Sequence, residues 1–375
     1  MRVGIDYTAA AWQGAGIGRY TRELVRATVA MQGGFEYVLF YAAGGIPPNS
    51  PYLADLDELC ATYANVRAVP IPLSPRLLTI LWQRLRLPLY AEWFTGAIDV
   101  LHAPDFVLPP TRARTLLTVH DLTFLVYPHT AEPKLQRYLA RVLPRSLRRA
   151  ERVLVDSHAT RQDLMRLQGV PAERIAVVYP GVSPAFRPLP AAALAAVRER
   201  LHLPAHFLLF VGTLEPRKNI PRLLEALALL PDAPPLVIAG RKGWLYTDIF
   251  ATLERLGLQA RVRLLDFVAD ADLPALYNLA QVFVYPSLYE GFGLPVAEAL
   301  ACGTPVVTTA AGSLPEVSGT AAVIADPFDP ASIAAAIRQA QQLAPQQRAA
   351  GIRHAQRFPW EQSARALLAC YLALR

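Results

Sequence analysis

The sequence predicts an α/β protein of two parallel-sheet domains, on three observations. Short β-branched strands alternate with helical stretches from the first residues onward, the βαβ signature of a parallel sheet. At 375 residues the chain exceeds what one hydrophobic core commonly supports. Between these halves, residues 180–190 have the proline density of an interdomain linker. With the boundary there, residues 1–183 form a first domain and 184–358 a second, followed by a terminal helix over 359–375.

Composition narrows the class. Apolar residues make up 53% and charged residues 18%, which describes a globular chain rather than a disordered one. No run reaches the ~18 apolar residues of a spanning helix, and Met1-Arg2 leads straight into strand-like residues. Neither a membrane span nor a secretory signal is predicted. Cys60, Cys302 and Cys370 have no paired spacing, so neither a disulfide framework nor a zinc site is implied. These features point to the cytoplasm, with the inner membrane face as the alternative.

The net charge of +7 is concentrated between Lys134 and Arg152. There Lys134, Arg137, Arg141, Arg145, Arg148, Arg149 and Arg152 face only Glu151, largely at helical spacing, with Leu135, Leu139, Val142 and Leu147 opposite. Such a face either contacts a membrane peripherally or is simply solvated. No aromatic interleaving or binding motif accompanies it, so nucleic acid is not an expected partner.

In chain order, Arg2 to Asp6 reads as a strand, Gly14 to Gly18 as a glycine-rich loop, Arg19 to Met31 as a helix and Phe35 to Tyr41 as the next strand. The loop GAGIGRY is not a dinucleotide fingerprint: its glycines are spaced G-x-G-x-G, and no acid closes the second strand. It reads as a backbone cradle or a structural turn. Residues 44–75 read as loop with short elements. Residues 76–94 are apolar with arginines and a break at Pro88, either a helix packed on the sheet or an acceptor- or membrane-facing pair. Two histidines then close strands, His102 after Val100 and His120 after Leu116 to Val119. The carboxyl edge of a parallel sheet is where ligands bind, and His120 there faces the cleft as a neutral-pH donor or acceptor. Asp121 is a candidate to orient it, although adjacent side chains need not meet. A basic helix, the strand Arg152 to Asp156, a helix from His158 and the strand Ile175 to Tyr179 complete the half.

The second half opens with a strand, Phe207 to Val211, a loop, Gly212 to Lys218, and a helix for which Asn219 is a natural cap. Arg217 and Lys218 stand just before that helix start, and two adjacent cations there make an anion site. Leu236 to Ala239 and Val262 to Phe267 read as strands, and Asp272 to Leu279 as a helix capped at Asp272. Asp270 and Asp272 imitate a metal-binding D-x-D, but a capping role explains Asp272, so no metal is expected. Strands follow at Thr304 to Thr308 and Ala322 to Ala325, around the loop AAGSLPEV. The last helix carries Trp360, Leu367, Leu368, Tyr371 and Leu372 on one face.

Residues 285–298, YPSLYEGFGLPVAE, organise the second half. A buried strand ends at Pro286 and Ser287, and Pro295 suits the start of a helix. Glu290, Gly291, Phe292, Gly293 and Leu294 therefore lie on a turn leading into a helix N-terminus, which favours a phosphate. Glu290 and Glu298 are hydroxyl acceptors on either side. A nucleotide-sugar, with hydroxyls at both ends and phosphate between, satisfies the stretch. The bland reading makes Glu298 a solvated first-turn residue and Glu290 a surface charge.

The pair Glu290 and Glu298 around GFGLP resembles the signature of the retaining glycosyltransferases of family 4, and the resemblance covers nearly the whole chain. It implies the GT-B fold: two Rossmann-like domains with parallel sheets facing across a cleft. It implies that Glu290 meets the hydroxyls of the transferred sugar and that Glu298 meets the nucleotide ribose. The amides of Gly291 to Leu294 would meet sugar and phosphate. His120 is implied on the transferred sugar, Arg217 and Lys218 on the donor diphosphate, Val268 beside the base, and Gly16, Ile17 and Gly18 near the donor phosphate or acceptor. In the loop Gly212-Thr213, Thr213 stands where some relatives have an arginine, which shifts leaving-group stabilisation onto Arg217 and Lys218. GIGRYT, HDLTFLVYP and GTLEPRKN resemble the bacterial mannosyltransferase branch, so the expected donor is GDP-mannose and the acceptor a saccharide or lipid-linked saccharide. The alternatives are another donor such as UDP-glucose, a GT-B-type UDP-sugar epimerase, and a silent nucleotide-sugar binder. No cofactor is implied, because the nucleotide-sugar is a substrate.

Overall fold

A computed structural model describes every residue except Ala15 and Pro48, which fall in the glycine-rich loop and in the 44–75 stretch and lie outside the described residues. The chain forms two compact units. One comprises Met1–Leu122, Arg137–Gly181 and Trp360–Arg375, the other Thr123–Gln136 and Val182–Pro359.

Unit one is built on seven strands: β1 (Arg2–Asp6), β2 (Glu36–Ala42), β3 (Val66–Ile71), β4 (Val100–Ala103), β5 (Arg114–Val119), β6 (Arg152–Val155) and β7 (Ile175–Val177). Their order is β3-β2-β1-β4-β5-β6-β7, parallel throughout. Strands covered on both faces are apolar along their length, as in β5, where every residue after Arg114 is buried. The order reverses between β1 and β4, so the crevice outside their carboxyl ends is the topological position for a ligand. The terminal helix Trp360–Leu372 belongs to this unit, burying Trp360, Leu367 and Tyr371 in the same core as Tyr20 and Leu24 of the helix Ile17–Ala30. Leu372, expected on that apolar face, is exposed instead.

His102 ties this helix to the sheet. It is buried within β4, with Nδ1 2.8 Å from the Tyr371 hydroxyl and Nε2 2.9 Å from Thr118 Oγ1. Its role is therefore structural. Burial, with a smaller effect of the nearby His120 charge, depresses it from 6.5 to about 3. A base depressed on folding lends stability that is complete above its unfolded value and is lost as the pH falls towards the folded one. Unfolding titrations should show stability declining below pH 6.5, by on the order of 4 kcal/mol near pH 3. In His102→Gln that decline should be shallower.

Unit two carries six strands: β8 (Leu208–Val211), β9 (Leu236–Ala239), β10 (Val262–Leu264), β11 (Val282–Val284), β12 (Val306–Thr309) and β13 (Val323–Ala325). Their order is β10-β9-β8-β11-β12-β13, again all parallel. Here the reversal lies between β8 and β11. The loops leaving those two strands carry Arg217-Lys218 and Glu290 respectively. Residues 123–136 join this unit: the Trp244 indole donates to Thr130 O at 2.8 Å, and the Tyr127 and Tyr289 rings are 6.2 Å apart.

Several local expectations need correction. The 44–75 stretch holds a regular helix, Pro51–Thr62, and the paired strand β3. Residues 76–94 are not a helix pair: Pro75–Thr79 runs into a π-helical turn, Ile80–Arg84, and Glu92–Thr95 is a single turn. The loop AAGSLPEV contains the short helix Leu314–Ser318. Asn219 and Asp272 occupy cap positions without a capping side-chain bond; Asn219 instead donates to Pro286 O and Pro327 O, and Asp272 is engaged by Arg200. The basic helix is Pro133–Arg149, burying Leu139, Val142, Leu143 and Leu147. Leu135 is exposed, Arg149 turns onto the Leu108 and Pro109 carbonyls, and Arg152 belongs to β6.

Candidate active site

In unit two, three charged residues meet at the sheet's switch point. Because β8 and β11 are hydrogen-bonded neighbours, the loops after them start side by side. Lys218, only 7% exposed, donates from Nζ to Glu290 Oε1 at 2.7 Å and to the Tyr285 hydroxyl at 2.5 Å. Arg217 Nη1 lies 2.6 Å from the other oxygen, Glu290 Oε2, and also donates to Tyr289 O; its Nη2 is 2.7 Å from Glu215. Ser287 Oγ donates to Glu290 Oε1 at 2.5 Å. Glu290 is thus a buried carboxylate clamped by two cations, not a surface charge.

The electrostatics follow from that clamp. Burial opposes the ionised form of Glu290, but the Arg217 and Lys218 charges, with hydrogen bonds from Lys218 and Ser287, outweigh it and hold the carboxyl at about 2. Burial and the neighbouring Arg217 lower Lys218, against the pull of Glu290 and Glu215. Glu290 and Glu215 balance the two cations, so a diphosphate enters by taking guanidinium and ammonium donors from these carboxylates.

The turn after Glu290 is held from a second loop. Ser313 Oγ donates to Glu290 O at 3.0 Å and to Phe292 O at 2.7 Å. Gly312 lies against the Glu290 backbone, where an added Cβ would come within 2.5 Å of its carbonyl oxygen. Gly293 caps the helix Leu294–Ala301 with φ 96°, a left-handed conformation that glycine adopts without steric cost. Gly291, Phe292 and Gly293 are buried, and Leu294 opens the helix. Glu298, 2% exposed, accepts from the Tyr277 hydroxyl at 3.1 Å, which rules out the solvated first-turn reading. Gly212 and Thr213 lead the loop from β8, laid along residues 239–243 by the bonds Gly212 N to Ala239 O and Gly243 N to Leu214 O. Val268 is buried beyond β10, next to a half-exposed Phe267 whose ring lies 4.3 Å from the Arg241 guanidinium.

In unit one, His120 follows β5 and is buried. Its orienting partner is Asp156, not Asp121: Nδ1 is 2.7 Å from Asp156 Oδ2, and Nε2 is 2.8 Å from Pro104 O. The register explains the correction. Val119 pairs with Val155, so the next residues, His120 and Asp156, stand opposite each other. A carbonyl can only accept, so Nε2 carries a proton, and the Asp156 carboxylate calls for one on Nδ1. Burial opposes the imidazolium, but Asp156, aided by Asp105 and the Pro104 carbonyl, holds it up at about 9. A base raised on folding lends stability that is complete below pH 6.5 and is lost as pH rises through about 9. Asp156→Asn should lower the His120 titration seen by imidazole NMR and remove that alkaline decline.

Gly16 and Gly18 lie at the same edge of unit one. Tyr20, on the helix that Gly16 caps, packs edge-on to His120 with centroids 4.8 Å apart. Sequence reasoning missed the residue that fixes this loop. Arg22 is buried and donates to Ala10 O, Gln13 O and Gly14 O, with its guanidinium over Tyr52. It also missed Ser287, Tyr285, Glu215 and Ser313. The first two were visible as polar groups at the end of a buried strand.

Comparison with known proteins agrees with this architecture. The family model Glycosyl transferases group 1 matches residues 198–372, and Glycosyltransferase Family 4 matches residues 14–186. O-antigen chain mannosyltransferase B of Escherichia coli is 35% identical over 356 residues, covering 92% of this chain and 93% of that protein. Sucrose-phosphate synthase from Thermosynechococcus elongatus superposes with a TM-score of 0.78 at 22% identity, over 100% of this chain and 99% of that one. Anabaena HepE in complex with UDP and glucose superposes with 0.73 at 20% identity, covering 99% of each. With two doubly wound parallel sheets and a relative of this identity along nearly its whole length, the chain belongs to the family 4 glycosyltransferases of GT-B fold.

Proposed function

We propose that the protein transfers a hexose from a nucleoside diphosphate sugar with retention of anomeric configuration and without a metal ion. The donor in this reading is GDP-mannose and the acceptor a saccharide or lipid-linked saccharide. The observation that carries it is the buried Arg217–Lys218 pair closed on Glu290 at the switch point of unit two. The relative from Escherichia coli, named a mannosyltransferase, supports mannose. UDP-glucose is the second reading for the donor, favoured by the UDP and glucose bound to HepE.

The barrier lies in breaking the bond between the anomeric carbon and the diphosphate oxygen. As it breaks, the electron pair passes to the departing diphosphate, where Arg217 and Lys218 stabilise the charge. The acceptor hydroxyl oxygen bonds to the anomeric carbon on the face that the diphosphate leaves, and its proton passes to the released diphosphate oxygen. Glu290 orients the sugar through its hydroxyls, Glu298 takes the ribose, and Gly291 to Leu294 offer amides to the phosphate. Val268 flanks the base, and Gly212 and Thr213 form the approach to the phosphates. His120 takes a hydroxyl of the transferred sugar. Its ring nitrogens are committed to Asp156 and Pro104, so that contact requires exchange of the Pro104 carbonyl.

The test is the stereochemistry of the product. Purified protein is incubated with GDP-mannose or UDP-glucose and a panel of mannosides in EDTA, and the anomeric C–H coupling is read by NMR. An α-mannoside formed in EDTA agrees with the proposal. A β-linked product, or activity that appears only when a divalent cation is added, contradicts it.

A further inference from the structure

We propose that one face of unit one, made by the loop at residues 84–87, Trp93 and the outer side of residues 137–149 of the basic helix, docks on an anionic lipid bilayer. Leu85 is 60% and Trp93 62% exposed, and Leu87 is exposed beside them. These side chains are presented rather than stranded. The loop beneath them is closed by Leu85 N to Ile80 O and Leu87 N to Leu81 O, both 2.9 Å, and the buried Trp82 donates from its indole to Leu89 O. At its apex Arg86 holds φ 56°, a left-handed conformation that costs a non-glycine residue energy and persists only where the surroundings enforce it. Trp93 is fixed edge-on to Tyr90, on which the Arg112 guanidinium rests 4.6 Å away.

The charge beside these apolar tips is mainly positive, with Glu132 and Glu151 at the two ends of the helix. The helix Pro133–Arg149, PKLQRYLARVLPRSLRR, contains no acid. Arg86, Arg141 and Arg148 all lie close enough to Arg145 to repel its charge, so loop and helix form one cationic patch. Glu92, the acid nearest in sequence to Trp93, is spent on Thr111 and the amides of Arg112 and Ala113. Four arginines that repel one another call for an anionic partner. A soluble polyanion would meet the arginines but leave Leu85 and Trp93 in water. A bilayer meets both, since tryptophan and leucine enter the interface while arginines stay at the headgroups. No helix among the described residues is long and apolar enough to cross a membrane, so the contact is with the surface.

Flotation of the full chain with phosphatidylcholine vesicles, with and without phosphatidylglycerol, tests this. Binding is expected only with phosphatidylglycerol, and is expected to fall as salt rises. Reversing Arg86 and Arg145 to glutamate should reduce partitioning by ~10² or more, taking roughly fivefold for each unit of charge. Leu85→Ser with Trp93→Ser should weaken binding while the thermal midpoint is kept. Should either pair unfold the protein, quenching of the wild-type tryptophans by brominated lipid, greater than in Trp93→Phe, gives the same answer. No binding to anionic vesicles, binding indifferent to both pairs, no quenching difference at Trp93, or retention on heparin without flotation would overturn the proposal.

Discussion

Glu290→Gln should unfold about 3 kcal/mol more easily than the wild type, because it leaves the buried Lys218 without its counter-ion and Arg217 with Glu215 alone. In thermal unfolding this is a fall of several degrees. The sign of its pH dependence is fixed. Glu290 is held at about 2 against 4.5, so it lends stability that is complete above pH 4.5 and is lost as pH falls towards 2. The variant should lack that acid limb. It should also respond more strongly to GDP, since a diphosphate supplies the missing charge, while hexose transfer is lost. A variant that melts with the wild type and gains no more from GDP would show that the clamp is electrostatically idle.

Lys218→Ala should reduce kcat by about a hundredfold, the ~3 kcal/mol expected when one donor to a developing oxyanion is removed. The residue is suited to this, because its stem is buried and its ammonium is already aimed by Glu290 and Tyr285. Lys218→Arg should not restore the rate: a planar fork cannot occupy the position of a compact ammonium held at 2.5 and 2.7 Å. Steady-state rates with saturating donor decide it. A kcat within threefold of wild type in Lys218→Ala would remove Lys218 from the reaction.

Much of this was legible from local pattern. Strands such as LLFV and RTLLTV announce themselves by β-branched and apolar runs, and the turn at Gly293 by its glycine and the proline that follows. The sheet orders were not legible, because pairing between strands distant in sequence leaves no local trace. Residues 76–94 misled for a different reason. Their apolar content suggested helices, but tertiary anchoring through Trp82 imposes a π turn and an irregular loop. At the site, the residue types in GTLEPRKN and YEGFGLP gave the cations and carboxylates, but not that Glu290 closes on both cations. His120 shows the same limit. Asp121 was attractive as its sequence neighbour, whereas the true partner is the residue just after the adjacent parallel strand, and only register identifies it.

In the proposed function, Arg217, Lys218 and Glu290 receive the diphosphate of a nucleotide-sugar. Thermal unfolding of the full chain with GDP-, UDP-, ADP- and dTDP-sugars in EDTA, for wild type and Lys218→Ala, tests it most directly. A ligand specific to the folded state adds ~2.7 kcal/mol at a hundred times its dissociation constant. The midpoint should rise with GDP-mannose, and the rise should persist in EDTA and shrink in Lys218→Ala. No rise with any nucleotide-sugar, or an equal rise in both proteins, would contradict it.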